Sequence, residues 1–233
     1  MKNELAQMSA LAQATDIELP PILQALYRDG LSSYGKDRAD WQANWQHYMQ
    51  EAPPALISSY DFEWLDAEAI AQTINGWLKP ESQNGRSFFP FAQSGAGDVF
   101  CLTPHEGERV VAYIWHDSDR HTIEAFSFAD FVYSRLATAM TDISHLVDDL
   151  SSTDKSRSCL LADIRRLSTY LPAEDAARLQ AYLDRPVIET EVSYGRRTER
   201  LPCLITDEEY NLLMQGKRAS VDWPVHIVAR WDV

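Results

Sequence analysis

The chain has 233 residues, 45% hydrophobic and 24% charged, a composition that folds around a core. The length admits one large domain, or one domain with an appendage. Its 35 acids and 21 bases leave a net charge of −14, which argues against nucleic acid and membranes as partners and favours encounter with basic proteins.

Three widely spaced cysteines, Cys101, Cys159 and Cys203, sit among apolar neighbours. An odd count makes a disulfide framework unexpected; buried free thiols and a reducing compartment are expected instead. Between Met1 and Ala14, Glu4 and several Gln and Ser residues interrupt any signal-like apolar run. No window approaches the roughly 20 apolar residues of a membrane helix. The expected localisation is cytoplasmic.

In chain order, Leu5, Met8, Leu11 and Ala12 space a weak amphipathic helix. Pro20 and Pro21 open a second one, with Ile22, Leu23, Leu26 and Tyr27 on its apolar face and Gly30 as its stop. Lys36 to Glu51 carries Trp41, Trp45, Tyr48 and Met49 at helical spacing, an aromatic face expected to lie in the core. Pro53 and Pro54 end it. Leu56 to Trp64 reads as a strand, and Asp66 caps a helix over 67–78 that buries Ile70, Ile74, Trp77 and Leu78. After a polar loop, Phe88 to Leu102 reads as two strands around Ser94-Gly95-Ala96-Gly97-Asp98. Arg109 to Trp115 adds a third strand beyond a break at Pro104–Glu108, which makes a meander.

Thr122 to Phe126 reads as a short edge strand. Ser127 with Asp130 starts a helix whose stripe, Phe131, Leu136, Met140, Ile143, Val147 and Leu150, runs about five turns. Ser151 to Ser158 is polar and aperiodic, a linker signal. Two short helices follow, Cys159 to Leu171 and Ala173 to Leu183, split by Pro172. Val187 to Tyr194 and Leu201 to Ile205 read as strands around Gly195-Arg196-Arg197. Thr206 with Glu209 is a capping box for a helix over Asp207 to Gln215. Val225 to Trp231 reads as a final strand.

No catalytic constellation emerges. Gly95 and Gly97 lack the following helix and the lysine that a phosphate loop needs, and a hairpin requiring positive φ accounts for both. His116 to His121 is the densest group of metal-ligand types. On an extended segment Asp117, Asp119 and His121 share one side, although a solvated loop accounts for them more simply. Cys101 falls in a strand pattern and reads as core. Asp148 and Asp149 face different ways on a helix. Arg196, Arg197 and Arg200 form the one basic spot, read either as an anion or partner site or as a solvated turn. No catalytic, cofactor-binding or metal-binding residues are therefore expected, and no cofactor.

Leu19-Pro20 at an early helix, the Tyr60–Trp64 strand with the helix after it, and above all Phe89-Pro90-Phe91-Ala92-Gln93-Ser94-Gly95-Ala96-Gly97-Asp98-Val99-Phe100-Cys101-Leu102 resemble the SUKH superfamily. So do Val110 to Asp117 and the helix start Phe126-Ser127-Phe128-Ala129-Asp130-Phe131. That superfamily joins yeast cell-wall regulators of the Smi/Knr type to bacterial immunity proteins. The resemblance covers about residues 17–150, broken by the Trp-rich insertion Asp37–Pro53. It implies an α+β fold, a mostly antiparallel central sheet with helices packed against it; residues 159–233 have no counterpart in the family domain and read as a C-terminal α/β extension.

The resemblance also implies binding rather than catalysis: an immunity protein that neutralises a cognate bacterial toxin by direct contact, and the acidic charge would suit a basic toxin. The alternatives are a regulatory or scaffold module of the same fold, or a metal-dependent enzyme using Asp117, Asp119 and His121. The motif residues read as structural, with Asp98 bonding the loop backbone. No partner-contact residues carry over.

Overall fold

The computed structural model describes residues 4–51, 54–118, 121–195 and 197–233. In chain order the helices are α1 (Glu4–Ala14), α2 (Pro21–Arg28), α3 (Arg38–Glu51), α4 (Ala67–Thr73), α5 (Phe128–Ala139), α6 (Ser144–Leu150), α7 (Thr153–Leu167), α8 (Ala173–Gln180) and α9 (Asp207–Leu213). The strands are β1 (Glu63–Trp64), β2 (Phe89–Gln93), β3 (Val99–His105), β4 (Glu108–Ile114), β5 (His121–Ala125), β6 (Ile188–Tyr194), β7 (Arg197–Cys203) and β8 (Val221–Asp222). They form an α+β fold with a six-stranded sheet, β1-β2-β3-β4-β5-β8, antiparallel throughout, and a separate β6-β7 hairpin.

Two compact units divide the chain. One comprises the described residues of Met1–Ser33, Asp61–Phe131 and Arg218–Val233; the other comprises those of Tyr34–Tyr60 and Val132–Lys217.

The first unit is built on the meander. Glu106 and Gly107 take φ of 51° and 84° between the paired residues His105 and Glu108, the left-handed pair of a two-residue hairpin that matches strand twist. The strands therefore run on through Pro104, where the sequence suggested a break. A register shift between Pro90 and Ala92 leaves Phe91 as an extra residue in β2.

Alternation then divides β3 between two faces. Val99 and Cys101 join Trp77, Leu78, Phe88, Ala112, Ile114 and Ile123 in one buried cluster. Phe100 faces the other way, 6.5 Å from Phe91 and 5.6 Å from Phe131 between ring centroids, with Phe62 at 5.5 Å from Phe100. Asp66 accepts from the Ala69 amide at 2.8 Å as the expected cap, and α4 then widens into a π-turn over Ile74–Leu78.

The first face is closed by the chain's end. Trp223 and Ile227 are 4% and 2% exposed within that cluster. The Trp223 amide donates to the His121 carbonyl at 2.7 Å and the Arg230 amide to that of His116 at 2.8 Å. Buried Gln83 donates to the Trp77 and Val228 carbonyls at 2.6 and 3.0 Å and accepts from the Val228 amide at 2.9 Å. The expected strand Val225–Trp231 is thus a strap held by Gln83 and by the Arg230 amide, and of the last described residues Val221–Asp222 pair as a strand.

The expected helix over 127–150 is two helices. The Met140 carbonyl accepts from the Leu204 amide at 2.8 Å, and the Ile143 amide donates to the Pro202 carbonyl at 2.9 Å, so the chain between α5 and α6 pairs with the end of the hairpin. Ser151 ends α6 in the left-handed region with φ 51°. Ser152 caps α7, accepting from the Lys155 amide at 3.3 Å. The polar run 151–158 is therefore one helix stop and the start of the next. The Thr206–Glu209 capping box forms as expected. Along α3, Met49 is the buried residue; Trp41 and Tyr48 stack at 5.8 Å on a half-buried ridge rather than in the core.

Asp163 of α7 is fully buried, and it accepts from the Leu56 amide (3.0 Å), the Ser58 amide (3.2 Å) and the Ser58 hydroxyl (2.7 Å). It pins a loop in which Leu56 takes φ 61°. Nothing in the local sequence around Asp163 distinguishes it from a solvated helical acid.

Candidate functional site

A polar constellation of the first unit lies at the β2–β3 hairpin. The Ser94 amide donates to the Asp98 carbonyl at 2.8 Å and the Gly97 amide to the Ser94 carbonyl at 3.0 Å, which closes a tight loop. Gly97 has φ 92°, a conformation that favours glycine. Gly95 does not; its amide donates to Asp61 Oδ1 at 2.6 Å, and a Cβ there would lie 3.3 Å from that oxygen. Positive φ thus explains one glycine and close approach explains the other.

Asp98 does not serve its own loop backbone, as the sequence suggested. Its carboxylate reaches across to β4 and the residues after it. Oδ1 accepts from the His116 amide at 3.0 Å and pairs with His116 Nδ1 at 2.6 Å. Oδ2 accepts from the Tyr113 hydroxyl at 2.9 Å and the Ser94 hydroxyl at 3.4 Å. The Ser94 hydroxyl in turn accepts from the Asp98 amide at 3.1 Å. Burial alone would raise the Asp98 pKa, but the amide and ring of His116 and the Tyr113 hydroxyl outweigh it and hold the carboxyl below its ordinary range. Burial, reinforced by Asp98, pushes Tyr113 up to about 12.

Among the described residues, Asp98, His116 and Asp117 bring three ligand-type atoms within 4.8 Å of one another. With Nδ1 donating to Asp98, two of these groups already satisfy each other, so the arrangement fits a hydrogen-bonded corner better than a cation site. Of the sequence-predicted trio, Asp117 and His121 are described, and the chain bends at His116 and Asp117 after β4. Asp117 is exposed, His121 is 2% exposed at the start of β5, and Asp119 lies outside the described residues.

The two described arginines of the basic spot pair with glutamates. Arg197 pairs with Glu199 at 2.8 Å and Arg200 with Glu191 at 3.3 Å, all on the exposed hairpin, while Arg196 lies outside the described residues. Asp148 and Asp149 are exposed on α6. All three cysteines are buried and free, and burial pushes their thiols up, which makes them poor nucleophiles.

The rim of the corner is acidic and aromatic. Asp61, Asp117 and Asp232 are exposed, and Trp231, 73% exposed, sets its ring edge-on to His116 at 6.1 Å.

Asp98→Asn is expected to cost about 1–3 kcal/mol at neutral pH by weakening charge-assisted bonds. A depressed folded pKa contributes stability above the unfolded carboxylate pKa and loses it as pH falls through the folded value. The gap between variant and wild type should therefore narrow toward pH 3 in denaturant titrations.

The profile of the SMI1 / KNR4 family (SUKH-1) matches residues 4–134, from α1 through the meander into α5. No curated protein and no solved structure matches the chain significantly. The match covers more than half the chain and includes the whole Asp98 corner up to Asp117, so this protein belongs to the SMI1 / KNR4 family (SUKH-1).

Proposed function

We propose that the protein is an immunity protein that binds a cognate toxin and neutralises it by direct contact. The observation that carries this reading is the family match over residues 4–134, since the resemblance implies binding rather than catalysis. The charge of −14 supports a basic partner, because opposite charge steers encounter and raises the association rate. The Asp98 corner supports a binding role as well. Its polar groups satisfy one another, which suits a rigid support, while exposed Trp231 and the surrounding aspartates have the character of an interface anchor and its rim.

In this reading residues 17–150 form the family domain and residues 159–233 an addition to it, and the chain acts in the cytoplasm. No described helix is long and apolar enough to cross a membrane. Co-expression with a toxin encoded beside this gene should restore growth, and Trp231→Ala should weaken the rescue. An adjacent gene whose product is neither toxic nor bound would contradict the proposal and favour a regulatory module of the same fold.

A further inference from the structure

The second unit contains a cleft of about 240 Å³ lined by Ser59, Tyr60, Arg135, Thr141, Asp142 and His145, among others. Small-molecule sites usually run from about 300 to 1,000 Å³, so this one is scaled to a single side chain.

Its wall carries one cation, Arg135, engaged at the Tyr60 carbonyl, and several groups with acceptor capacity left over. Ser59 is 6% exposed, and its buried hydroxyl meets no hydrogen-bond partner among the described residues, a situation that native structures rarely leave uncompensated. Asp142 uses Oδ1 to hold the Ser144 amide at 2.8 Å, which leaves its second oxygen as an acceptor. His145 Nε2 lies 3.2 Å from the Ser58 carbonyl. A carbonyl only accepts, so Nε2 carries the proton and Nδ1 of the neutral ring keeps its lone pair. Burial lowers the His145 pKa, and of the charged groups acting on the ring Asp142 and Asp149 raise it while Arg135 lowers it. On the cleft wall itself Asp142 is the one acid and Arg135 the one base. Arg135 donates to the Tyr60 carbonyl at 2.7 Å and so helps to hold the mouth of the cleft. There the Tyr60 ring, 71% exposed, stands edge-on to His145 at 5.5 Å.

We infer that this cleft receives an arginine side chain of a partner protein, its guanidinium donating to Ser59 Oγ, Asp142 and His145 Nδ1 while lying against the Tyr60 ring. The inference deepens the protein-binding reading and rests on it for the identity of the donor. Arginine fits better than lysine because its planar, weakly hydrated head carries five donors and stacks on aromatic faces. A carboxylate would meet the Asp142 oxygen and the His145 lone pair.

The test titrates acetyl-Gly-Arg-Gly-amide into the isotope-labelled full chain and follows backbone amide shifts. Saturable shifts at Ser59, Tyr60, Asp142 and His145 are expected, weaker with the lysine peptide and absent with the glutamate peptide. Tyr60→Ala removes an exposed ring and should leave the fold intact while weakening binding by about three- to fivefold. Ser59→Ala should weaken it as well. No saturable shift, equal response to the glutamate peptide, or unchanged binding by Tyr60→Ala would overturn the assignment. Peptide binding without toxin rescue would uphold the cleft and remove the toxin; rescue without peptide binding would uphold the toxin and remove the cleft.

Discussion

Asp163→Ala is expected to lower the stability of the protein by about 3–5 kcal/mol, a loss comparable to breaking a buried ionic contact. Two effects add. The truncation strands the amides of Leu56 and Ser58 and the Ser58 hydroxyl, in residues that are fully buried, and each abandoned group costs about 1–3 kcal/mol. It also releases Leu56, held at φ 61°, a conformation that a non-glycine residue keeps only when its surroundings impose it.

Asp163 has a pH signature of its own. Burial pushes its carboxyl up to about 6, against the lowering effect of Ser58 and Leu56, from an ordinary value of 3.8. A folded pKa raised above the unfolded one contributes stability that is present below the unfolded value and lost as pH rises through the folded value. Asp163→Asn removes that loss. Whatever its cost at pH 4, this variant should gain on the wild type by up to about 3 kcal/mol between pH 4 and pH 7. A pH-independent difference in urea midpoints would contradict the burial argument.

Trp223→Ala should be as damaging, at about 3–5 kcal/mol for a large buried aromatic. Its ring lies edge-on to Phe88 at 6.4 Å and to His105 at 5.9 Å, inside the cluster that contains Cys101, Ile114 and Ile123. Removing it opens the face of the sheet that the chain's last residues close. Trp231→Ala, eight residues on and 73% exposed, should change stability by less than about 1 kcal/mol. Equal losses at the two tryptophans, measured by thermal unfolding, would contradict the strap as described.

These residues also mark how much could be read without coordinates. The meander was legible because it is local: apolar alternation and turn glycines occupy neighbouring positions, and the Asp66 and Thr206 caps are complete within four residues. The Asp98–His116 pair was not recognised, though its signal was present. A tight turn between His105 and Glu108 sets a register in which Val99 faces Ile114, and that places Asp98 beside the residues following β4. Other features depend on distant partners. The break after α5 is tied to Leu204 and Pro202, the strap is held by Gln83, and Asp163 meets Leu56 and Ser58 across more than a hundred positions. No periodicity within a window carries such information. The aromatic ridge of α3 failed for a related reason: helical spacing shows which residues share a face, but not how deeply that face is covered.

The most direct measurement is neutralisation in vitro of the toxin encoded beside this gene, followed at increasing ionic strength. The account predicts loss of toxin activity at one equivalent of this protein, with an association rate that falls steeply as salt rises, because opposite net charges draw the two together. A toxin that stays active when saturated with this protein would contradict it.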